Sequence, residues 1–257
     1  MLSSLEKALF TTVAESADTD SPVAVAFSGG LDSTLLAKIC KDLGFEVTLL
    51  TIGFSHSHDL EFSKVIASRI GLPQKIYILN EQEFYKVLSH VRQIIDCDNL
   101  SHIENCIAYF HIAKLANKSG FHQILTANGC DELFCGYNEY RLVYDRGRTY
   151  IAKLMDEKII NELELMNEIE TATSGMGINL KKPFLTEKFI SFAKNIDIDQ
   201  KITGSNDFVR KRILRETALS IGVPEESAMK PKKAIQYGTM IHKKFIIYTK
   251  SSYEKLR

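Results

Sequence analysis

Two acidic side chains, each placed shortly after a glycine that follows an apolar run, are the residues of this chain best suited to nucleotide chemistry. Asp32 lies in Val23-Ala-Val-Ala-Phe-Ser28-Gly-Gly-Leu-Asp-Ser-Thr34, and Asp131 lies in Thr126-Ala-Asn-Gly-Cys-Asp-Glu-Leu-Phe-Cys-Gly-Tyr137. The first stretch reads as a buried strand entering a Gly-Gly turn and then a helix. Such a turn presents free backbone N–H groups and the positive end of a helix dipole where phosphate oxygens can sit. Gly29 and Gly30 let the backbone approach an anion closely, and Ser28, Ser33 and Thr34 add hydroxyl donors. A carboxylate beside a phosphate repels it unless a cation lies between. Mg²⁺, which takes oxygen ligands from one or two carboxylates plus phosphates, removes the conflict. The loop lacks the lysine of a Walker A motif and the spacing of the dinucleotide fingerprint. The plain structural alternative is a tight turn with a capping Asp. Asp131 and Glu132 repeat the logic of strand end, glycine and acid-opened helix, and their plain alternative is a pair of dipole-favoured caps.

The elements that must hold these residues alternate along the chain. Residues 4–17 carry Leu5, Leu9, Phe10 and Val13 at helical spacing. Strands are predicted at 23–27, 47–52, 75–79 and 123–126, and the helix after the first has Leu31, Leu35, Leu36, Ile39 and Leu43 on one face. Further helices are expected near 62–70, 82–95 and 102–117. This order predicts an α/β fold with a parallel sheet, whose ligands bind at the carboxyl ends of strands, here Phe27, Ile52 and Thr126. Beyond Asp131 the strand signal fades, and 131–174, 186–221 and 239–256 read as helices. The expected division is a nucleotide-binding domain over 1–140 and a helical part over 141–257 that packs across its mouth.

The 257 residues allow one large or two small domains, and at 45% hydrophobic content they can bury a substantial core. Lys plus Arg and Asp plus Glu each total 32, so no global attraction to nucleic acid is expected. No apolar run reaches the length of a membrane span, and Met1-Leu-Ser-Ser does not open a signal peptide. Five cysteines without a C-x-x-C pair fit reduced thiols, and the expectation is a cytoplasmic enzyme.

Ser28-Gly-Gly-Leu-Asp-Ser33 resembles the pyrophosphate loop of the ATP pyrophosphatase (PP-loop) superfamily, the adenine nucleotide alpha hydrolase-like fold. The Asp131 segment resembles the Gly-Glu-Gly-Ser-Asp-Glu-Leu-Phe-Gly-Gly-Tyr motif of asparagine synthetases, in their C-terminal synthetase domain. Ile52-Gly-Phe-Ser-His-Ser-His-Asp59, Pro183-Phe-Leu185, Lys211-Arg-Ile-Leu-Arg215 and Lys230-Pro-Lys-Lys-Ala-Ile235 resemble further motifs of that family in the same order. The resemblance implies cleavage of ATP between its α and β phosphates, formation of an acyl-adenylate from a small carboxylate such as aspartate, and attack by ammonia. It implies that Phe27, Ile52, Thr126, Ala127 and Gly129 line the nucleotide site. Ser28, Gly29, Gly30 and Ser33 would cradle the pyrophosphate. Asp32 and Asp131 would hold Mg²⁺, Lys232 would face the α-phosphate, and Asn128 and Glu132 would border the acceptor. A solvated basic run is the plain alternative for Lys230, Lys232 and Lys233. Lys211 and Arg215 share a helix face that is either turned to the triphosphate or exposed.

This chain also departs from the family pattern. No glutaminase domain precedes the first motif and position 2 is not Cys, so the nitrogen is expected from free ammonia, a glutaminase partner subunit or another nucleophile. Asn128 stands where the family has Glu, and a neutral amide is no base near pH 7. Asn179 and Thr186 stand where the family has two further acids, and these losses suggest a pocket for a less cationic substrate or an inactive one. The alternative readings are a PP-loop enzyme that adenylates tRNA or a sulfur acceptor, and a non-catalytic ATP-binding subunit. A homodimer is left open. His56-x-His58 lacks a third metal ligand, His90, His102, His111 and His122 show no ligand spacing, and Tyr137, Tyr140, Tyr144 and Tyr150 are expected along the seam between the two parts.

Overall fold

Helix α1 (Ser4–Ser16) starts where the Ser3 hydroxyl accepts from the Glu6 amide and the Glu6 carboxylate returns to the Ser3 N–H, so two orphan donors are satisfied reciprocally. Strands and helices then alternate as β1 (Val23–Ala26), α2 (Leu31–Asp42), β2 (Val47–Phe54), α3 (His58–Ile70), β3 (Gln74–Leu79), α4 (Glu81–Ile94), α5 (Leu100–Lys118) and β4 (Gln123–Leu125). The later elements are α6 (Cys130–Leu133), α7 (Asn138–Leu142), α8 (Arg148–Thr173), β5 (Asn179–Lys181), α9 (Glu187–Lys194) and α10 (Ile198–Lys201). Helices α11 (Arg212–Ser220), α12 (Glu225–Ala228), α13 (Ile235–Gly238) and α14 (Ile241–Glu254) complete the chain. The computed structural model describes residues 3–254.

The five strands are all parallel, in the order β3-β2-β1-β4-β5. Chain order reverses between β1 and β4, and a sheet of this kind opens a crevice outside the carboxyl ends of the two strands flanking that reversal. Asp32 follows one of them and Asp131 the other. Along β1, Val23 and Val25 join a core with α1, α2 and α9, while Ala24 and Ala26 face a second core with α4, α5 and α8. This period of two is what a sheet covered on both faces requires. Helix α5 is wedged between sheet and α8, so apolar residues surround it: Ile103, Cys106, Ile107, Ile112 and Ala116 are all buried.

The expected α/β class and parallel sheet are what the structure has. Strand β5 was not expected, because three residues, Asn-Leu-Lys, carry no strand pattern. The edge of β4 recruits it, through Asn179 N–H to His122 O at 2.8 Å and Thr126 N–H to Lys181 O at 2.9 Å. The helical reading of 131–174 is interrupted at Cys135, whose φ is +56°, and again at Gly147. That of 186–221 gives way to an irregular loop over 202–211.

Candidate active site

The turn after β1 is open to an anion. Gly30 precedes α2 without any side chain capping the helix, so the first-turn N–H groups point unclaimed into the cleft. Ser28 and Ser33 hydroxyls lie 3.3 Å apart, and Ser33 also donates to Gly30 O at 3.3 Å, which folds both hydroxyls over the turn. Gly29 has φ +74° and a Cβ there would meet Ser63 Cα of α3 at 3.1 Å, so only glycine fits. Its carbonyl accepts the Ser227 hydroxyl at 2.8 Å, tying the loop to α12.

Asp32 and Asp131 converge. The Lys211 ammonium lies 2.6 and 2.8 Å from the two Asp32 oxygens and 2.7 Å from Asp131 Oδ1, while Lys232 pairs with Asp131 Oδ2. Burial works to raise the Asp131 carboxyl, but the Lys211 and Lys232 ammoniums outweigh it and hold it well below the usual carboxylate range. Asp131 Oδ1 is buried and has this ion pair without a well-directed hydrogen bond. Gly136 makes the arrangement sterically feasible, since a Cβ there would fall 2.1 Å from Asp131 Oδ1 and 2.3 Å from Lys211 Cε.

Lys211 reaches this point through unusual backbone. Arg210 and Lys211 both have φ +52°, a conformation that costs about 1–2 kcal/mol per non-glycine residue. Arg215 holds it in place. Its guanidinium donates to Val209 O (3.1 Å) and Arg210 O (2.8 Å), and also to Ala228 O (2.5 Å) and Lys230 O (3.2 Å). One side chain thus joins the loop carrying Lys211 to the loop carrying Lys232. The exposed-face alternative for Lys211 and Arg215 is corrected: both are buried. The basic run at 230–233 is likewise not merely solvated, because Lys230 lies 3.6 Å over the Phe62 ring and Lys232 enters the site.

The end of the cleft around Asn128 is acidic. Glu132 is buried and accepts from the Tyr137 hydroxyl, and burial, followed by Glu162 and Asp131, pushes its carboxyl up to about 8. Asn128 accepts from the Tyr109 hydroxyl at 2.6 Å and donates to Glu162 Oε1 at 2.5 Å. Burial also raises the Glu162 carboxyl. Sequence reasoning missed Glu162, yet it left a signal: it interrupts the buried stripe Ile159, Leu165, Met166 and Ile169 of α8. An acid in an apolar stripe needs a reason.

A cleft of about 640 Å³ collects these groups, lined by Phe27, Ser28, Gly30, Asp32, Ser33, Ile52, Ala127, Asn128, Gly129, Asp131, Glu132 and Lys232 from the expected set. Gly29 and Thr126 stand behind its wall. Phe27 N–H is taken by Leu50 O and its carbonyl by the Thr51 hydroxyl at 2.7 Å, so only a second carbonyl lone pair is left for a ligand. Asn179 sits on β5, and Thr186 caps α9 through Phe189 N–H at 3.3 Å; neither lines the cleft. Their replacement of acids therefore does not make the pocket less acidic. Of the tyrosines, Tyr137 lines the cleft, Tyr140 is wholly buried with its hydroxyl on Glu132 O at 2.9 Å, and Tyr150 is exposed. His58 pairs with Asp59, whereas His102 falls beside Cys97 and Glu168, the one compact triad of ligand-type side chains among the described residues. No helix among the described residues is long and apolar enough to cross a membrane.

Known proteins resemble this chain in sequence. A Methanocaldococcus jannaschii protein provisionally named as a glutamine-hydrolysing asparagine synthetase is 29% identical over 91% of this chain and 49% of its own length. The glutamine-hydrolysing asparagine synthetase of Bos taurus is 26% identical over 86% of this chain and 40% of its own. The chain therefore spans about half the length, or less, of these curated relatives. Among solved structures, the NMN synthetase of Francisella tularensis superposes with a TM-score of 0.50 at 12% identity, covering 91% of this chain and 78% of that one, a likeness of fold. The asparagine synthase family profile matches residues 4–171 and 152–251, and the chain belongs to that family.

Proposed function

We propose that this chain is an ATP-dependent, AMP-forming ligase of the asparagine synthetase type. A small carboxylate, aspartate or a close relative, attacks the α-phosphorus of ATP and displaces pyrophosphate. Ammonia, free or supplied by a glutaminase partner subunit, then attacks the acyl carbon and AMP leaves with the bonding electron pair, giving an amide. The observation that carries this reading is the convergence of Asp32 and Asp131, from the ends of neighbouring strands, on a single cation beside an uncapped helix N-terminus.

The chain's own groups fit these tasks. Ser28, Ser33 and the first-turn N–H groups of α2 would bind the departing pyrophosphate, and Lys232 would stand against charge building on the α-phosphate. Fixed positive charge of that kind is the main accelerator of phosphoryl chemistry. Two carboxylates that already close on an ammonium suit a hard divalent cation with phosphate oxygens as its remaining ligands. Mg²⁺ held there by Asp32 and Asp131 would supply charge to offset the triphosphate. A thiol-borne acceptor is disfavoured, because Cys130 and Cys135 are buried and burial pushes their thiols up, Cys135 to about 12.

The test is AMP and pyrophosphate release across aspartate, other dicarboxylates and amino acids, with ammonium present. Asp32→Asn is expected to lower turnover by about 10³-fold, the scale of losing one placed electrostatic group, with an unchanged circular dichroism spectrum. Full activity in that variant would remove the mechanism.

A further inference from the structure

His102, in the first turn of α5, is 5% exposed, and its Nδ1 lies 2.9 Å from Glu168 Oε2 of α8. Its Nε2 is sealed from solvent without a hydrogen-bond partner among the described residues. A buried imidazole that leaves one nitrogen unused carries a desolvation cost that calls for an explanation. Cys97, in the segment between α4 and α5, completes a trio whose sulfur, ring nitrogen and carboxylate oxygen all lie within 4.8 Å of one another. The Cys97 sulfur also accepts the Asn99 N–H at 3.3 Å, and a donor on sulfur favours the thiolate over the thiol.

These three donors match one class of ion. Thiolate and imidazole select Zn²⁺ over the hard cations Mg²⁺ and Ca²⁺, which take oxygen ligands. Tetrahedral Zn²⁺, bonded to oxygen, nitrogen and sulfur at about 2.0–2.3 Å, keeps its donor atoms about 3.3–3.6 Å apart. Here the nitrogen–oxygen pair stands at 2.9 Å and no pair exceeds 4.8 Å. Rotation of the half-buried Cys97 and Glu168 side chains can take up that mismatch. One thiolate and one carboxylate also balance the two charges of the ion, as a largely dehydrated site requires.

We infer that Cys97, His102 and Glu168 form a binding site for a zinc-class divalent cation, with water as the fourth ligand. The set shares no residue with Asp32 and Asp131. On binding, metal–sulfur, metal–nitrogen and metal–oxygen bonds form and the Cys97 thiol proton passes to solvent. The consequence is mechanical. The ligands come from the 95–99 segment, α5 and α8, so the ion ties that segment to a helix 66 residues further on. Asn99, Ser101 and His102 line one end of the cleft, and the ion therefore braces a part of its wall. This holds whether or not the ligase reading does.

The test is titration of the reduced, chelator-treated full chain with Co²⁺ and then Zn²⁺, in excess Mg²⁺ so that hard oxygen sites are already filled. Stoichiometric Co²⁺ should produce a thiolate-to-cobalt charge-transfer band that Zn²⁺ abolishes, and Zn²⁺ should raise the unfolding midpoint. Cys97→Ser should remove the band and weaken Zn²⁺ binding at least about 100-fold, since losing even an outer-shell partner costs about 10–100-fold. Glu168→Gln should keep the band and weaken Zn²⁺ binding about tenfold or more. No band in the wild type, a band that survives in Cys97→Ser, or wild-type Zn²⁺ affinity in either variant overturns the inference. Circular dichroism melts without metal show whether each variant folds. Should Cys97→Ser fail to fold, Glu168→Gln, at a half-buried position, still decides the question.

Discussion

At the scale of single residues, the site is defined by an ammonium that closes on the two carboxylates proposed above as metal ligands. Lys211 neutralises Asp32 and Asp131 together, and burial would depress its charge were it not for those two carboxylates, which hold it above the ordinary lysine range. Its removal exposes the acids to each other. Lys211→Met keeps the stem against Gly136 and deletes the charge, and breaking a buried pair in this way costs about 3–5 kcal/mol. The variant is expected to melt at lower temperature in the absence of metal. It should also bind Mn²⁺ without nucleotide at least about tenfold tighter than the wild type, with recovery of the lost stability. Electron spin resonance of free Mn²⁺ and a thermal scan measure both. Equal Mn²⁺ binding by variant and wild type would mean that the ammonium does not stand in the ion's place.

At the scale of elements, two devices set the geometry. Arg215 on α11 grips four carbonyls in two loops, a task that one planar guanidinium can perform and one ammonium cannot. Arg215→Lys is therefore expected to cost about 2–3 kcal/mol in denaturant melts, from carbonyls left buried without donors, and to raise half-saturating ATP because Lys211 and Lys232 both lose their support. The second device is Glu83, whose carboxylate joins α4 to Lys114 of α5 and to Tyr77 of β3. Those two partners, Lys114 first, hold it down from 4.5 to about 2. A depressed acid contributes stability that is complete above its unfolded value and disappears as pH falls through its folded one. The loss should lie between about pH 4.5 and 2, and Glu83→Gln should flatten the stability profile there; an unchanged profile would show that the bridge holds nothing. These elements also mark what could be read in advance. The turn after β1 is legible because its signals are local: an apolar run, Gly29 with Gly30, and a periodic helix. Strand β5 is not, since only the free edge of β4 makes Asn179–Lys181 a strand. Glu162 was legible as an acid in the buried stripe of α8, but its partner Asn128 lies on a different element. The left-handed turn at Arg210 and Lys211 was beyond reach, because Asp207, the distant Gly136 carbonyl and the grip of Arg215 hold residues there that have no preference for it.

For the whole molecule, the question is whether the boundary near residue 140 separates two folding units. The two hydrophobic cores lie on opposite faces of the sheet, and each takes residues from both sides of that boundary. Leu35 and Ile39 share one core with Phe189, Leu214, Ala218 and Ala228, and Ile103 and Ile107 share the other with Leu165, Met166, Ile169, Ile241 and Phe245. The C-terminal segment also returns to the sheet, with Phe54 N–H on Thr239 O at 3.1 Å, and to α5, with His242 on Glu104 at 2.7 Å. We propose the boundary as a division of labour, with the phosphate loops before it and the cations Lys211 and Lys232 after it. A fragment ending at 140 would leave the α8-facing side of α5 bare, and an apolar face of that size drives association. It is expected to bind a hydrophobic dye strongly or to precipitate. The full chain should unfold in one transition by circular dichroism and by tyrosine fluorescence, which serves as the intrinsic probe because the sequence contains no tryptophan. Adding ATP with Mg²⁺ should raise that single midpoint, since the ligand's proposed partners, Asp32, Asp131, Lys211 and Lys232, come from both sides of the boundary. A soluble, cooperatively folding 1–140 fragment that binds ATP as tightly as the full chain would show that the cationic loops add nothing to nucleotide capture, and the site would then have to be rebuilt from the N-terminal loops alone.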